Sequence, residues 1–232
     1  MKDKPYPLTH FILWIILAAI VFTGAFLRFS DITRIGLQGS DNTYYTNIAK
    51  HWSEGEQVYC IEENWTLFRP IVFEVFGLAV RFLGFNDSSI KITNAGLDTI
   101  NILLVFLLAF ILSRRNPWAA SSAAAVYALL PFTILISRSE QTHILSTSTV
   151  LIALIFLSLS WSAENRAARL ALLFLSGLAT GLSALTHEDL IFTAAGPVLL
   201  LLFEGRSKAG TTRTWLISAA VRAGTYLAAV VL

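Results

Sequence analysis

Three short polar segments carry residue types suited to acid–base or anion chemistry. The first is Gly39-Ser40-Asp41, with Tyr44 and Tyr45 close behind. The second is Ser137-Arg138-Ser139-Glu140-Gln141-Thr142-His143, and the third is Thr186-His187-Glu188-Asp189. Asp41 has the chemistry of a general base or an ion ligand. It also stands where an Asp or Ser routinely caps a helix, and the two roles are compatible. The spacing of Ser137 and Glu140 is that of a capping box, which accounts for both, and Thr186 and Asp189 repeat the theme. Caps do not account for Arg138, His187 or Glu188. Arg69 could contact a phosphate, although an arginine snorkelling at a helix end is the commoner arrangement. Asp98 lies about one turn inside an apolar run, and an intramembrane carboxylate is a functional hypothesis by default.

The elements that must position these groups are apolar helices. Mean hydropathy is +0.65, 55% of residues are hydrophobic and only 14% are charged. Phe11–Leu27, Pro117–Ile136, Ile144–Trp161 and Leu170–Leu185 carry no charge, and Ala95–Leu112 holds only Asp98. Leu190–Phe203 is shorter but uncharged, and Trp215–Leu232 contains Arg222. These runs approach the ~20 residues that cross a bilayer. Hydrocarbon cannot satisfy exposed backbone groups, so such runs must be helical. The expected fold is therefore all-α: a polytopic transmembrane bundle of about seven spans. The first run has no small-residue cleavage site after it and is followed by more spans, which argues against a signal peptide. A single cysteine, Cys60, excludes an internal disulfide. The net charge of +2 comes from basic residues at span ends and gives no reason to expect a nucleic-acid partner.

Orientation follows from Lys and Arg. With the N-terminus cytoplasmic, the short inner loops hold Arg114, Arg115, Arg166, Arg169, Arg206, Lys208 and Arg213, whereas the short outer loops hold only Arg138. The long loop 28–94 then lies outside, in a periplasm, lumen or extracellular space, and the expected location is the plasma membrane, or the inner membrane of a bacterium. Within it, Tyr44, Tyr45, Ile48, Ala49 and Trp52 share one face of a predicted helix lying along the membrane surface. Ile71–Leu83 is too short and too charged to span and reads as an interfacial or re-entrant helix. All three polar segments and Asp98 fall at the outer face, so any site is expected there. The apolar Tyr226–Leu232 end has the character of a span cut short, and the chain is expected to be the N-terminal part of a longer protein.

The order of these features carries a resemblance. One span precedes Ser40-Asp41-Asn42-Thr43-Tyr44; Arg69-Pro70 then leads an amphipathic stretch. Asn94-Ala-Gly-Leu-Asp98 opens a span that ends Leu112-Ser-Arg114-Arg115. An Ala-rich span ending in Leu130-Pro131, the Ser137-Arg138-Ser139-Glu140 turn and Gly177-Leu-Ala-Thr-Gly181-Leu-Ser-Ala-Leu-Thr186 follow. Across nearly its whole length the chain resembles the N-terminal module of the GT-C glycosyltransferases. Within these it is most similar to the family 39-like branch of protein O-mannosyltransferases, lipid A aminoarabinose transferases and related bacterial polytopic enzymes. The resemblance implies a membrane enzyme that moves a sugar, with inversion, from a polyprenyl-phosphate-linked donor to a protein, lipid or glycan acceptor at the outer face. It makes Asp41 the base or acceptor-orienting acid, and maps a second acidic position onto the turn holding Glu140. It places His187 in a turn that often carries a basic residue near the lipid phosphate. Many members have a second carboxylate directly after the first, and Asn42 here argues against a paired-carboxylate metal site. No cofactor is certain: a divalent cation is open as an expectation, but one Asp does not support it.

The chemistry fits those roles. Displacing a lipid phosphate needs a base for the acceptor's proton and fixed positive charge where the phosphate leaves. Arg138 and Arg69 supply cations, and His187 can donate a hydrogen bond or titrate. Tyr44 and Tyr45 could stack on a sugar or simply belong to an interfacial aromatic belt. Glu188 completes the outer polar set. The competing expectation is a transporter with a polar path near Asp98 and Arg222. Against it stand the lack of an internal repeat, the lack of a span broken at its midpoint by Gly or Pro, and a long outer loop with no role in transport.

Overall fold

The computed structural model describes residues 7–34, 36, 40–58, 69–187, 193–203 and 212–231. Among them every regular element is helical. The helices are α1 (Pro7–Phe29), α2 (Ser40–Ser53), α3 (Pro70–Leu83), α4 (Ser89–Leu112) and α5 (Pro117–Leu129). They continue with α6 (Pro131–Ser137), α7 (His143–Ser162), α8 (Arg166–Ala184), α9 (Ala195–Phe203) and α10 (Thr212–Val231). Four of them, α1, α4, α7 and α8, are long and apolar enough to cross a membrane, and α5 with α6 makes a fifth if the pair is one bent span. Exposed Phe11, Trp14, Phe22 and Phe26 on α1, and Phe132 and Leu135 on α6, give the bundle the apolar exterior that lipid requires. The chain is built as an integral membrane protein.

Local chemistry explains where the helices start and stop. Asn116 accepts from the amides of Trp118 (3.0 Å) and Ala119 (3.3 Å), with Pro117 at the first helical position of α5. Asn165 caps α8 by accepting from Ala167 N at 2.8 Å. The uncharged run Pro117–Ile136, expected as one helix, is broken: Leu130 is extended and α6 turns away from α5 by 58°. Pro131 causes the break, because it lacks an amide and drives the preceding residue out of the α region. The break lies towards one end of the run and not at its midpoint.

Helix α4 is the hub, packing on α1, α3, α5, α6 and α7, while α8 joins α7 to α10 and α9 leans on α10. Parallel α8 and α10 approach closely because Gly177 and Gly181 lie directly against the backbone carbonyls of Tyr226 and Val230. This small-xxx-small spacing lets two membrane helices meet without side chains between them.

The two 14-residue helices α2 and α3 form a separate pair. Tyr45, Ile48 and Ala49 of α2 close on Val72, Phe73, Phe76 and Val80 of α3, with Ile90 of α4 beneath. The face of α2 expected to lie at headgroup depth is thus packed mainly against protein. Tyr45 is buried, because α3 offers an apolar stripe of matching length.

Candidate functional site

The turn from α6 to α7, Arg138–Thr142, is where the sequence's separate polar segments meet. It is pinned from α4: Asn94 Nδ2 donates to Ser139 O (2.8 Å) and to Gln141 O (2.9 Å). It is tied to α2 by Gln141 Nε2, which donates to Asn42 Oδ1 at 2.9 Å. It is tied to the start of α3 by Arg69, whose Nη1 donates to Thr142 Oγ1 (2.9 Å) and Tyr45 Oη (3.0 Å). The Arg69 guanidinium also lies over the Tyr45 ring, 5.7 Å from its centre. Tyr44 is half-buried and meets Tyr45 edge-on.

Glu140 points from this turn into protein and meets Lys91 of α4, Nζ to Oε1 3.2 Å, with both side chains essentially inaccessible. Lys91 also donates to Gly36 O at 3.1 Å. Burial pushes the Glu140 carboxyl above its ordinary value; Lys91 pulls the other way without winning, and Asp87 adds to the rise. Arg138 Nη2 donates to Ser30 O at 2.6 Å, joining the turn to the end of α1. Among the described residues, Arg138 Nε, Asn94 Oδ1 and both Glu140 oxygens are buried without a hydrogen-bond partner. Glu140 Oε1 is held in the ion pair with Lys91, so one donor and two acceptors, Arg138 Nε, Asn94 Oδ1 and Glu140 Oε2, are left over around a single turn, where buried polar atoms are normally satisfied.

Other expected residues fall into place around this turn. Asp41 lies in the first turn of α2, one residue before the Asn42 that reaches Gln141; the placement of its side chain, and of Glu188, lies outside the described residues. His187, just beyond α8, stacks on His143 at the start of α7 with ring centres 5.1 Å apart. The pair stands at one end of a cleft of about 460 Å³ lined by Ser146, Thr147, Val150 and Leu151 of α7. His187 is thereby brought to the same end of the bundle as Glu140.

Asp98 sits in a second polar centre deeper along α4. Its Oδ2 receives Arg28 Nε at 2.6 Å, with both side chains fully buried, and its Oδ1 receives the Tyr127 hydroxyl. Arg28 donates further to Gly24 O (3.0 Å), Ala128 O (2.9 Å) and Thr133 Oγ1 (3.3 Å). Asn101 and Ser148 extend the network to α7. This places Asp98 at the junction of α1, α4 and α5, enclosed by partners.

The capping boxes expected from spacing are not formed where the residues are described. Helix α7 begins at His143, too late for Ser137 to cap it; Ser137 ends α6 and donates back to Ile134 O at 2.9 Å. Thr186 likewise bonds back to Ser183 O, and Asp189 lies outside the described residues.

Sequence reading missed Lys91, Asn94 and Asn101, although a signal existed. Lys91, Asn94, Asp98 and Asn101 follow a 3-4-3 spacing that draws one polar stripe along a helix face. Arg28 had no such signal. A further trio, His51, Glu54 and Glu56, gathers its ligand atoms within 4.8 Å at the exposed end of α2. There His51 Nδ1 and Glu56 Oε2 make a 2.7 Å contact that accounts for two of the three. Comparisons with protein-family models, curated proteins and solved structures give no match.

Proposed function

We propose that this chain is a membrane module of a GT-C-type glycosyltransferase. On this reading it has seven spans, a cytoplasmic N-terminus, and α2 and α3 as helices of the first outer loop. The observation that supports the reading best is the set of unsatisfied buried atoms of Arg138, Asn94 and Glu140 beside the first turn of α2. A transferase that displaces a lipid phosphate needs a base and fixed cations within one small region; in support, the turn that carries Arg138 bonds to Arg69 through Thr142 and to Asn42, the residue after Asp41. Asp41 takes the acceptor's proton. Glu140, the second acidic position, acts from its buried pair with Lys91 by holding the turn that carries Arg138. Arg138 and Arg69 hold the leaving phosphate together with His187, and Glu188, next in sequence, is assigned to the same substrate-binding set. Tyr44 borders the sugar, while Tyr45 orients Arg69. Asp98, paired with Arg28, holds the helix that carries Lys91 and Asn94. The donor is a polyprenyl-phosphate sugar whose tail stays in the bilayer. The test is sugar release from polyprenyl-phosphate mannose or polyprenyl-phosphate aminoarabinose by the purified protein. Asp41→Asn is expected to lower the rate on the order of 10²–10⁴-fold, the usual reach of a general base. Undiminished transfer by Asp41→Asn would remove Asp41 from the role.

One arrangement favours a second reading, a transporter: the buried Arg28–Asp98 network beside the α5–α6 break. Solute uptake by proteoliposomes without consumption of a lipid-linked donor would decide for it.

A further inference from the structure

At the other end of α7 from Glu140, about 30 Å away at ~1.5 Å of rise per residue, a cleft of about 450 Å³ opens between the starts of α8 and α10. Its polar wall is Arg166, Arg169 and Arg222, and its apolar wall is Leu170, Ile217 and Val221. Glu164 is the acidic residue that lines it. The tendency of Arg to gather at span ends accounts for Arg166 and Arg169. It does not account for Arg222, ten residues into an apolar helix, where a charge is costly. The Arg222 side chain turns back along α10, its Nη1 donating to Ser218 Oγ at 2.6 Å and its Nη2 to Leu201 O at 3.2 Å. Its charge is thus delivered to the cleft at the level of Arg169. Among the described residues that line the cleft, three guanidinium groups stand against one carboxylate. The amide end of α8, capped by Asn165 at Ala167 N alone, adds its dipole in the same place.

We infer that this cleft binds the phosphate headgroup of an anionic membrane lipid. Forked guanidinium donors match phosphate oxygens in pairs. Basic pockets between membrane helices hold such headgroups. The exposed Ile217 and Val221, at 56% and 38% accessible, continue from the charged wall along α10 as a surface for an acyl chain. A soluble phosphate compound would use the charges and leave the apolar wall bare. The site stands apart from the proposed transferase chemistry and does not depend on it.

The experiment is native mass spectrometry of the full chain released from micelles containing phosphatidylglycerol or phosphatidylcholine with identical acyl chains. The wild-type protein is expected to retain phosphatidylglycerol preferentially. Each arginine removed should reduce that retention on the order of fivefold, read with Arg222→Gln and with the double variant Arg166→Gln/Arg169→Gln. Glu164→Gln should increase it. If Arg222→Gln does not purify as a folded species, the double variant carries the test, since Arg166 is exposed and Arg169 lies at a helix start. Equal retention of the two lipids by the wild-type protein overturns the inference, as does an unchanged preference in the double variant. Inorganic phosphate forms the third arm. If it binds the wild-type protein and displaces phosphatidylglycerol at equal concentration, the cleft serves a soluble phosphate and the lipid assignment is wrong.

Discussion

Lys91 and Glu140, forty-nine residues apart, form a buried ion pair of 3.2 Å that fastens the polar turn between α6 and α7 to the central helix α4. The turn carries Arg138 and, through Gln141, touches α2 beside Asp41. Its position governs whatever the site does. A buried pair of this kind is costly to assemble and more costly to halve, because the survivor stays charged and enclosed.

Removing one partner is therefore expected to cost more than removing both. Lys91→Met should lower stability by about 3–5 kcal/mol, and Lys91→Met/Glu140→Gln should recover a large part of that loss. Thermal unfolding of the two single variants and the double in one detergent measures the coupling. Additive losses would show that the pair is not a coupled unit.

The raised Glu140 carboxyl sets a direction for pH dependence. The folded protein keeps this proton to higher pH than the unfolded chain does, so folding binds protons in the interval above the ordinary carboxylate value. Stability associated with Glu140 is present at the acidic side of that interval and is lost as pH rises through it. Glu140→Gln should flatten this component of the melting temperature against pH. A wild-type slope of opposite sign that depends on Glu140 would contradict the burial argument.

Arg28 and Asp98 should behave as structure. Asp98→Asn leaves Arg28 fully buried without its counter-charge, an expected loss of roughly 3–5 kcal/mol. Arg28→Met should cost about as much, and the double variant less than the sum. Protein that melts as wild type after Asp98→Asn would free Asp98 for a role in substrate handling.

Close helix contact at Gly177 makes a fourth test. Gly177→Leu drives a side chain into the Tyr226 backbone, and overpacking of this kind costs about 1–3 kcal/mol or more. Cross-linking between cysteines placed on α8 and α10 should fall in Gly177→Leu. It should persist in Ala171→Leu, which adds the same side chain at an exposed position of α8. Equal cross-linking in the two variants would show that the glycine contact does not set the helix separation.

The helices and most of their bounds were legible in the sequence because the signals are local. An uncharged run of a given length must be helical in lipid, Asn116-Pro117 and Asn165 announce starts, and Pro131 announces a break that run length alone concealed. That the described parts of the outer polar segments, Asn42 beside Asp41, the Arg138–His143 turn and His187, lie at one end of the bundle was also foreshadowed, since alternating spans return every second loop to the same side. Partnerships were not legible. Ser137 and Glu140 have capping-box spacing, yet where α7 starts is settled by the turn's bonds to Asn94, Asn42 and Arg69. Nothing near Asp98 in sequence names Arg28, seventy residues earlier, and nothing near Glu140 names Lys91. The sequence determined where helices run and that charge would be scarce. Only the tertiary structure decided which charges are neutralised in pairs, because in a low-dielectric interior that choice depends on distances between helices that no local pattern encodes.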